Sequence, residues 1–415
     1  MQKIHDLSQL DWGQYIQEND LVLWGQAQAE PLTLTRHLIQ NRQHLKKFRV
    51  FIGISNFDTC THEHTDYIDF SSYCGAGSNR LLSKSKQLEI IPSHYSTFCK
   101  ILRPDVVLIQ LSAPNAQGQY SFALGQDYPA DTIRHARTVI AEVNTNLPWT
   151  YSSDYLTDED LDIVFESNYT FQNEIANKSS SINLQIATYV ASLIPNGSTL
   201  QIGIGVLPET VLNALSHHQN LGIHSGIISD GIARLMQSGV INNSNKAIDT
   251  GTTITGLING SEQLHQFVHL NLNVQLRASS YTHNPQVLSQ LDNLIAVNSA
   301  IEVDLTGQVN AEIANGTYVG AVGGALDFIR AANQAIHGCS IIALPSAGKN
   351  FTRIVSKLSG PVSTPRSDVG IFVTEYGIAD LRGLSLSARA KKMISIAHPH
   401  FREQLMTEAK ILSII

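Results

Sequence analysis

Residues 200–208 read Leu-Gln-Ile-Gly-Ile-Gly-Val-Leu-Pro. A short apolar strand runs into two glycines and then a Pro-initiated helix. Backbone N–H groups from Gly203 to Leu207, with a helix N-terminus behind them, suit the anionic or carbonyl end of a small ligand. A Gly-x-Gly by itself also fits a plain strand-to-helix turn. Other reactive residue types are less usefully set. His224 and Ser225 are neighbours in an extended run, so alternation points them to opposite faces and denies them a nucleophile–base pairing. His62-Glu-His64 and His398-Pro-His400 each offer two imidazoles at metal-like spacing but no clear third ligand. They read as surface residues, and no metal site is expected.

The elements that would position these residues come in duplicate. The first half has Leu21-Val-Leu-Trp-Gly25, a small-residue turn, and Glu30-Pro31 opening a helix that carries Leu34 and Leu38. The second has Leu200-Gln-Ile-Gly203, a glycine turn, and Pro208-Glu209 opening a helix with Val211, Leu212 and Leu215. Val50-Phe-Ile-Gly53 matches Gly222-Ile-His-Ser-Gly226. Val106 to Ser112, followed by Gly118-Gln-Tyr-Ser121, matches Ala300 to Leu305, followed by Gly307-Gln-Val-Asn310. Three pairings in one order argue for two related α/β domains. The polar stretch from Phe171 to Ser181 marks the junction, and a helix follows from Ile182 to Leu193. The expected architecture is a domain over 1–178 and a second over 179–415. Each is an open, largely parallel sheet covered by helices, with the active-site cleft between them.

Bulk properties narrow the class. With 415 residues, 43% hydrophobic and 15% charged, the chain is globular and large enough for two cores. The net charge is −7 and the 28 basic residues are dispersed, which argues against nucleic acid. No apolar run is long enough to span a bilayer, and Met1-Gln-Lys-Ile-His-Asp shows no export signal. Cys60, Cys74, Cys99 and Cys339 have no pair spacing and read as reduced thiols, so a cytoplasmic location is expected.

One set of motifs spans the second half. It comprises Gly203-Ile-Gly205-Val-Leu-Pro208, Leu221-Gly-Ile-His-Ser225, Ser229-Asp-Gly231 and Asn298-Ser-Ala-Ile-Glu-Val-Asp-Leu-Thr-Gly-Gln308. Gly323-Gly324 with Asp327-Phe328-Ile-Arg330, Thr374-Glu-Tyr-Gly-Ile-Ala-Asp-Leu-Arg-Gly383 and Ile396-Ala-His-Pro399 continue it. Pro104-Asp-Val-Val-Leu-Ile-Gln110 and Ala141-Glu-Val-Asn144 extend it into the first half. In order and spacing this set resembles the acetyl-CoA hydrolase/transferase family, the 4-hydroxybutyrate CoA-transferase type of class I CoA-transferases. The resemblance implies a glutamate that attacks an acyl-CoA thioester and passes CoA to a second acid through a glutamyl-CoA thioester. It implies CoA-binding and oxyanion positions at Gly203, Ile204, Gly205, Val206, Leu207, Gly323 and Gly324, with Asn298 a further CoA contact. Acyl-CoA and a small carboxylic acid would be the partners. CoA would be a substrate, with no permanently bound cofactor, and self-association is common among such proteins.

The chain departs from that pattern twice. The nucleophilic glutamate is expected after Ser225, where this chain has Gly226, and the usual Gly-Gly-Gln-x-Asp-Phe has Ala325 in place of the glutamine. A strand predicted from Ala296 to Leu305 would place Glu302 on the same face as Asn298, making Glu302 the candidate replacement carboxylate; a structural pairing across the sheet is its alternative. Glu209 fits a helix-dipole role, Glu375 a packing or turn role, and Asp230 either water activation or a cap. The primary expectation is CoA transfer. The alternatives are an acyl-CoA hydrolase, in which Gly226 leaves room for water, and a non-catalytic acyl-CoA-binding protein.

Overall fold

The computed structural model describes residues 1–171 and 179–415. The expected junction at 178/179 borders residues 172–178, which lie outside the described residues. Two large sheets dominate. The first runs, in spatial order, Gln2–Ile4, Ile163–Ser167, Thr138–Asn144, Val106–Leu111, Leu21–Trp24, Phe48–Phe51, Ile68–Ser72 and Leu88–Ile90. All of its pairings are parallel. The second runs Gly377–Asp380, Ile371–Thr374, Cys339–Ala343, Leu294–Asn298, Thr199–Ile202, Gly222–Ile228, Thr253–Ile258, Val274–Leu276 and Tyr151–Ser152. Only its Ile371–Thr374 pairing with Gly377–Asp380 is antiparallel. Central strands such as Val106–Leu111 and Thr253–Ile258 are buried throughout, as parallel strands covered on both faces must be.

The sheets repeat one order. Leu21–Trp24 and Thr199–Ile202 each lie between the next strand in sequence and a later one, Val106–Leu111 or Leu294–Asn298. The two α/β halves expected from the repeated motifs are therefore present. One motif pairing is corrected: the partner of Val106–Leu111 is Leu294–Asn298, not Ala300 to Leu305. The predicted helices are found at Leu32–Asn41 and Ser181–Ser192, and the third begins at Val206, two residues before Pro208.

The predicted strand from Ala296 to Leu305 is two strands. Leu294–Asn298 belongs to the large sheet, whereas Glu302–Asp304 forms a small sheet with Val309–Asn310 and Ile354–Val355. The chain leaves the large sheet because the neighbouring strand Thr199–Ile202 gives way to the Gly203 turn, leaving no ladder partner on that side.

Buried acids lie beneath the first sheet's helices. Glu30 is buried, accepts from Thr35 Oγ1 at 2.8 Å, and is pushed up to about 7 by burial. A carboxyl whose folded-state value is raised binds its proton more tightly in the native state, so stability falls as pH climbs from about 4.5 towards 7. The Glu30→Gln variant is therefore expected to gain Tm over the native chain at pH 8 and to show little difference at pH 4. Thermal melts across that range test this, and equal differences at both ends would refute it.

Candidate active site

The carboxyl ends of the strands in the second sheet collect most of the suspected residues. Thr199–Ile202 ends in the Gly203 turn, and Gly205, at φ +116°, precedes the helix Val206–Ala214. A Cβ added at Gly203 or Gly205 would meet nothing within 4 Å, so this backbone is open to close approach. The Gly203 N–H makes only a long 3.4 Å bond to Val297 O. On the next strand, buried Ser225 donates to Ile202 O at 3.2 Å, and buried His224 Nε2 contacts Thr282 O at 3.1 Å. The two side chains do not meet each other, as alternation required.

Gly323, at φ +53°, and Gly324 lead into the helix Ala325–Gln334. This helix precedes the parallel strand Cys339–Ala343, so its N-terminus lies at the same end of the sheet as that of Val206–Ala214. The first half closes in on this point. Tyr95 N donates to Gly323 O at 3.1 Å, and Ser96 donates from N and Oγ to the Asp327 carboxylate at 3.1 and 2.7 Å.

His283 joins these pieces. Its ring lies 2.9 Å (Cε1) and 3.0 Å (Nε2) from where a Cβ on Gly226 would stand, and Nε2 lies 2.3 Å from the corresponding point on Gly324. A side chain at either glycine would require the imidazole to shift. The ring packs on Tyr95 at 4.5 Å and Phe328 at 4.8 Å between centroids. His283 is 5% exposed, and burial pushes it down to about 3, so the ring is neutral at ordinary pH. The imidazole is the group that a Cβ at Gly226 would meet first.

Behind Tyr95 lies a buried polar network drawn from four separate segments of the first half. Tyr95 OH donates to Asp127 at 2.7 Å, Gln26 Nε2 donates to Asp127 Oδ2 at 2.6 Å, and Tyr73 OH donates to Gln26 Oε1 at 2.7 Å. Asp127 is 3% exposed, is pushed up to about 6 by burial, and has φ +38°. Such backbone strain persists only where the surroundings enforce it. Across the seam, a Cβ on Gly256 would lie 3.1 Å from Gly226 O and 3.6 Å from Asp127 Oδ1.

These observations coincide with the comparisons. Residues 7–171 match the acetyl-CoA hydrolase/transferase N-terminal domain, and residues 260–409 match its C-terminal domain. The chain belongs to this family. It is 35% identical over 406 residues to the 4-hydroxybutyrate coenzyme A transferase of Clostridium kluyveri, covering 95% of each chain. Its fold superposes on the crystal structure of RipA from Yersinia pestis with a TM-score of 0.91 at 27% identity, covering 97% of this chain and 96% of that one. It also superposes on the 4-hydroxybutyrate CoA-transferase of Porphyromonas gingivalis with a TM-score of 0.81 at 30% identity, covering 96% and 95%. The family uses CoA as a substrate.

Within the hydrolase/transferase fold, the remaining suspected residues take other places. Glu302 sits in the small sheet, 9% exposed, and its Oε1 accepts from Ser359 N (2.6 Å), Ser359 Oγ (2.8 Å), Asn310 Nδ2 (3.0 Å) and Gly360 N (3.2 Å). It does not share a strand face with Asn298, which exchanges hydrogen bonds with Gln201 (2.9 Å from Asn298 Nδ2). Glu209 accepts from Ser229 and pairs with Arg234 at 3.0 Å. Asp230 accepts from Ser261 N at 3.1 Å, and Glu375 from Ser346 Oγ at 2.7 Å. His64 and His398 accept from the Thr61 and His400 backbones. No group of His, Cys, Asp or Glu among the described residues is arranged to hold a metal, and no described helix is long and apolar enough to cross a membrane. A cavity of about 690 Å³ opens beside the seam between halves, lined by Gln28, Asn56 and Phe57 among others, and Gln28 exchanges 2.9 Å hydrogen bonds with Gly260.

Sequence reasoning missed His283, Asp127, Tyr95, Tyr73 and Gln26. The signal for His283 was the pair of glycines at 226 and 324, which leave a volume that some distant side chain must fill.

Proposed function

We propose that this chain moves CoA between a short-chain acyl-CoA and a carboxylic acid. The supporting observation is the meeting, at one end of the second sheet, of the open Gly203–Gly205 backbone, the helix start at Gly324 and the partly exposed Gly226. The pantetheine arm lies along the first, through contacts at Gly203, Ile204, Gly205, Val206 and Leu207 and near Asn298. The thioester carbonyl lies by the second, with Gly323 and Gly324 beside it. Two helix N-termini and their unpaired N–H groups favour the negative charge that grows on that oxygen. Exchange between two acids conserves the thioester, so the reaction runs near equilibrium and needs no bound cofactor. Glu302 has a lesser place in this reading: four donors hold one of its oxygens, and its work is to fasten the loop at 359–360.

Purified protein incubated with acetyl-CoA and labelled propionate or butyrate is expected to form the corresponding acyl-CoA with little free CoA. CoA release from acetyl-CoA alone would make it a hydrolase. Binding of acetyl-CoA with neither outcome would make it a binding protein.

A further inference from the structure

One side chain bounds both glycines at the centre of the site. A Cβ on Gly226 would lie 2.9 and 3.0 Å from Cε1 and Nε2 of His283, and apart from the glycine's own chain neighbours no other described heavy atom comes within 4 Å of that point. At Gly324 the same ring is nearest again, with Tyr95 Cβ next at 3.4 Å. Both glycines are partly exposed, so the ring forms the floor beneath an accessible surface.

That floor is held from several sides. Tyr95 and Phe328 stand 4.5 and 4.8 Å from the imidazole between centroids, and Thr282 Oγ1 lies 2.8 Å from Nδ1. The segment that carries the ring is tied to both halves. His224 Nε2 lies 3.1 Å from Thr282 O, and Asp131 of the first half accepts from Ser279 Oγ at 2.7 Å and from Ser280 N at 3.0 Å. Such a wall does not give way to a ligand without cost.

A thioester carbon holds three substituents in one plane. In the reading above, its oxygen faces the helix start at Gly324 and its sulfur leads to the Gly203–Gly205 turn. The acyl chain takes the remaining direction, toward Gly226, where the imidazole is the first group it meets. Resting on that transferase reading, we infer that His283 is the end wall of the acyl pocket and limits this chain to short acyl groups. The bulk of the ring sets the limit, and its polarity does not. Without the ring, the hollow left behind is lined by Tyr95 and Phe328, aromatic surface that suits a longer hydrocarbon tail.

Transfer from acetyl-, butyryl-, hexanoyl- and octanoyl-CoA to labelled acetate tests this, because every donor yields the same labelled acetyl-CoA. For the native chain, kcat/KM with hexanoyl-CoA is expected to fall about 100-fold below that with butyryl-CoA. His283→Ala is expected to bring the two within about tenfold. His283→Leu restores a side chain of similar bulk and is expected to keep the native limit. If His283→Ala gives no cooperative melt, His283→Val carries the same test. Affinities of the four acyl-CoAs, measured by calorimetry, are expected to follow the same order. A native chain that accepts hexanoyl-CoA as readily as butyryl-CoA would overturn the inference. So would an unchanged ratio in folded His283→Ala, or a His283→Leu protein that takes long chains as His283→Ala does. Absence of labelled acetyl-CoA from every donor with the native chain would instead remove the transferase reading.

Discussion

Introducing a carboxylate by Gly226→Glu alone is expected to lower Tm and to bring no gain in CoA transfer. A Cβ at this position would lie 2.9 and 3.0 Å from atoms of the His283 ring, closer than side chains pack. The ring cannot simply swing away, because Tyr95 and Phe328 flank it and Thr282 holds Nδ1. Overpacking of this kind costs about 1–3 kcal/mol. The double variant Gly226→Glu with His283→Ala removes the obstruction. It is expected to bind acetyl-CoA, become inactivated by borohydride during turnover, and show parallel double-reciprocal lines. Peptide mapping should then find the modified residue at position 226. A single Gly226→Glu variant that is as stable as the native chain and forms this adduct would falsify the steric argument.

The second large effect is expected from Asp127→Ala. The carboxylate is buried and accepts from Tyr95 and Gln26, while Gln26 in turn accepts from Tyr73 OH and from Ile54 N at 3.0 Å. Removing it leaves buried donors short of an acceptor and keeps the unfavourable positive φ, now on a residue with no polar side chain to anchor it. A loss of about 3 kcal/mol in unfolding free energy is expected from such a network break. Transfer should fall as well, because Tyr95 carries both the Asp127 bond and the ring contact with His283. Chemical denaturation measures the first and steady-state assays the second. A stability change under about 0.5 kcal/mol, the size of an ordinary surface substitution, would show that the network does not carry this load.

Much of the architecture was legible in the sequence, for a local reason. Apolar spacing at Leu34 and Leu38, or at Val211, Leu212 and Leu215, is a property of a few consecutive residues, and it marked helices that the structure contains. The repeated succession of strand, glycine turn and helix marked two halves whose sheets share one strand order. The break after Asn298 was not legible, because where a strand stops depends on where its neighbours stop. Alternation alone therefore joined Asn298 to Glu302 across a boundary it cannot detect. The site divided in the same way. The open turn at Gly203 is written in consecutive residues. The filling of the Gly226 volume by His283 is a contact between residues 57 positions apart in the chain. The Gln26, Tyr73, Tyr95 and Asp127 network draws on four distant segments, none of which signals it alone.

The strand Tyr151–Ser152 belongs by sequence to the first half yet is the edge of the second sheet, pairing with Val274–Leu276. Other ties cross nearby: Gln126 N donates to Gly256 O at 3.1 Å, and Asp131 accepts from Ser279 Oγ at 2.7 Å. These ties stitch the two halves along their seam and oppose a hinged opening of one against the other. A bound thioester is then expected to enter and leave through movements of side chains and loops while the two sheets hold their spacing.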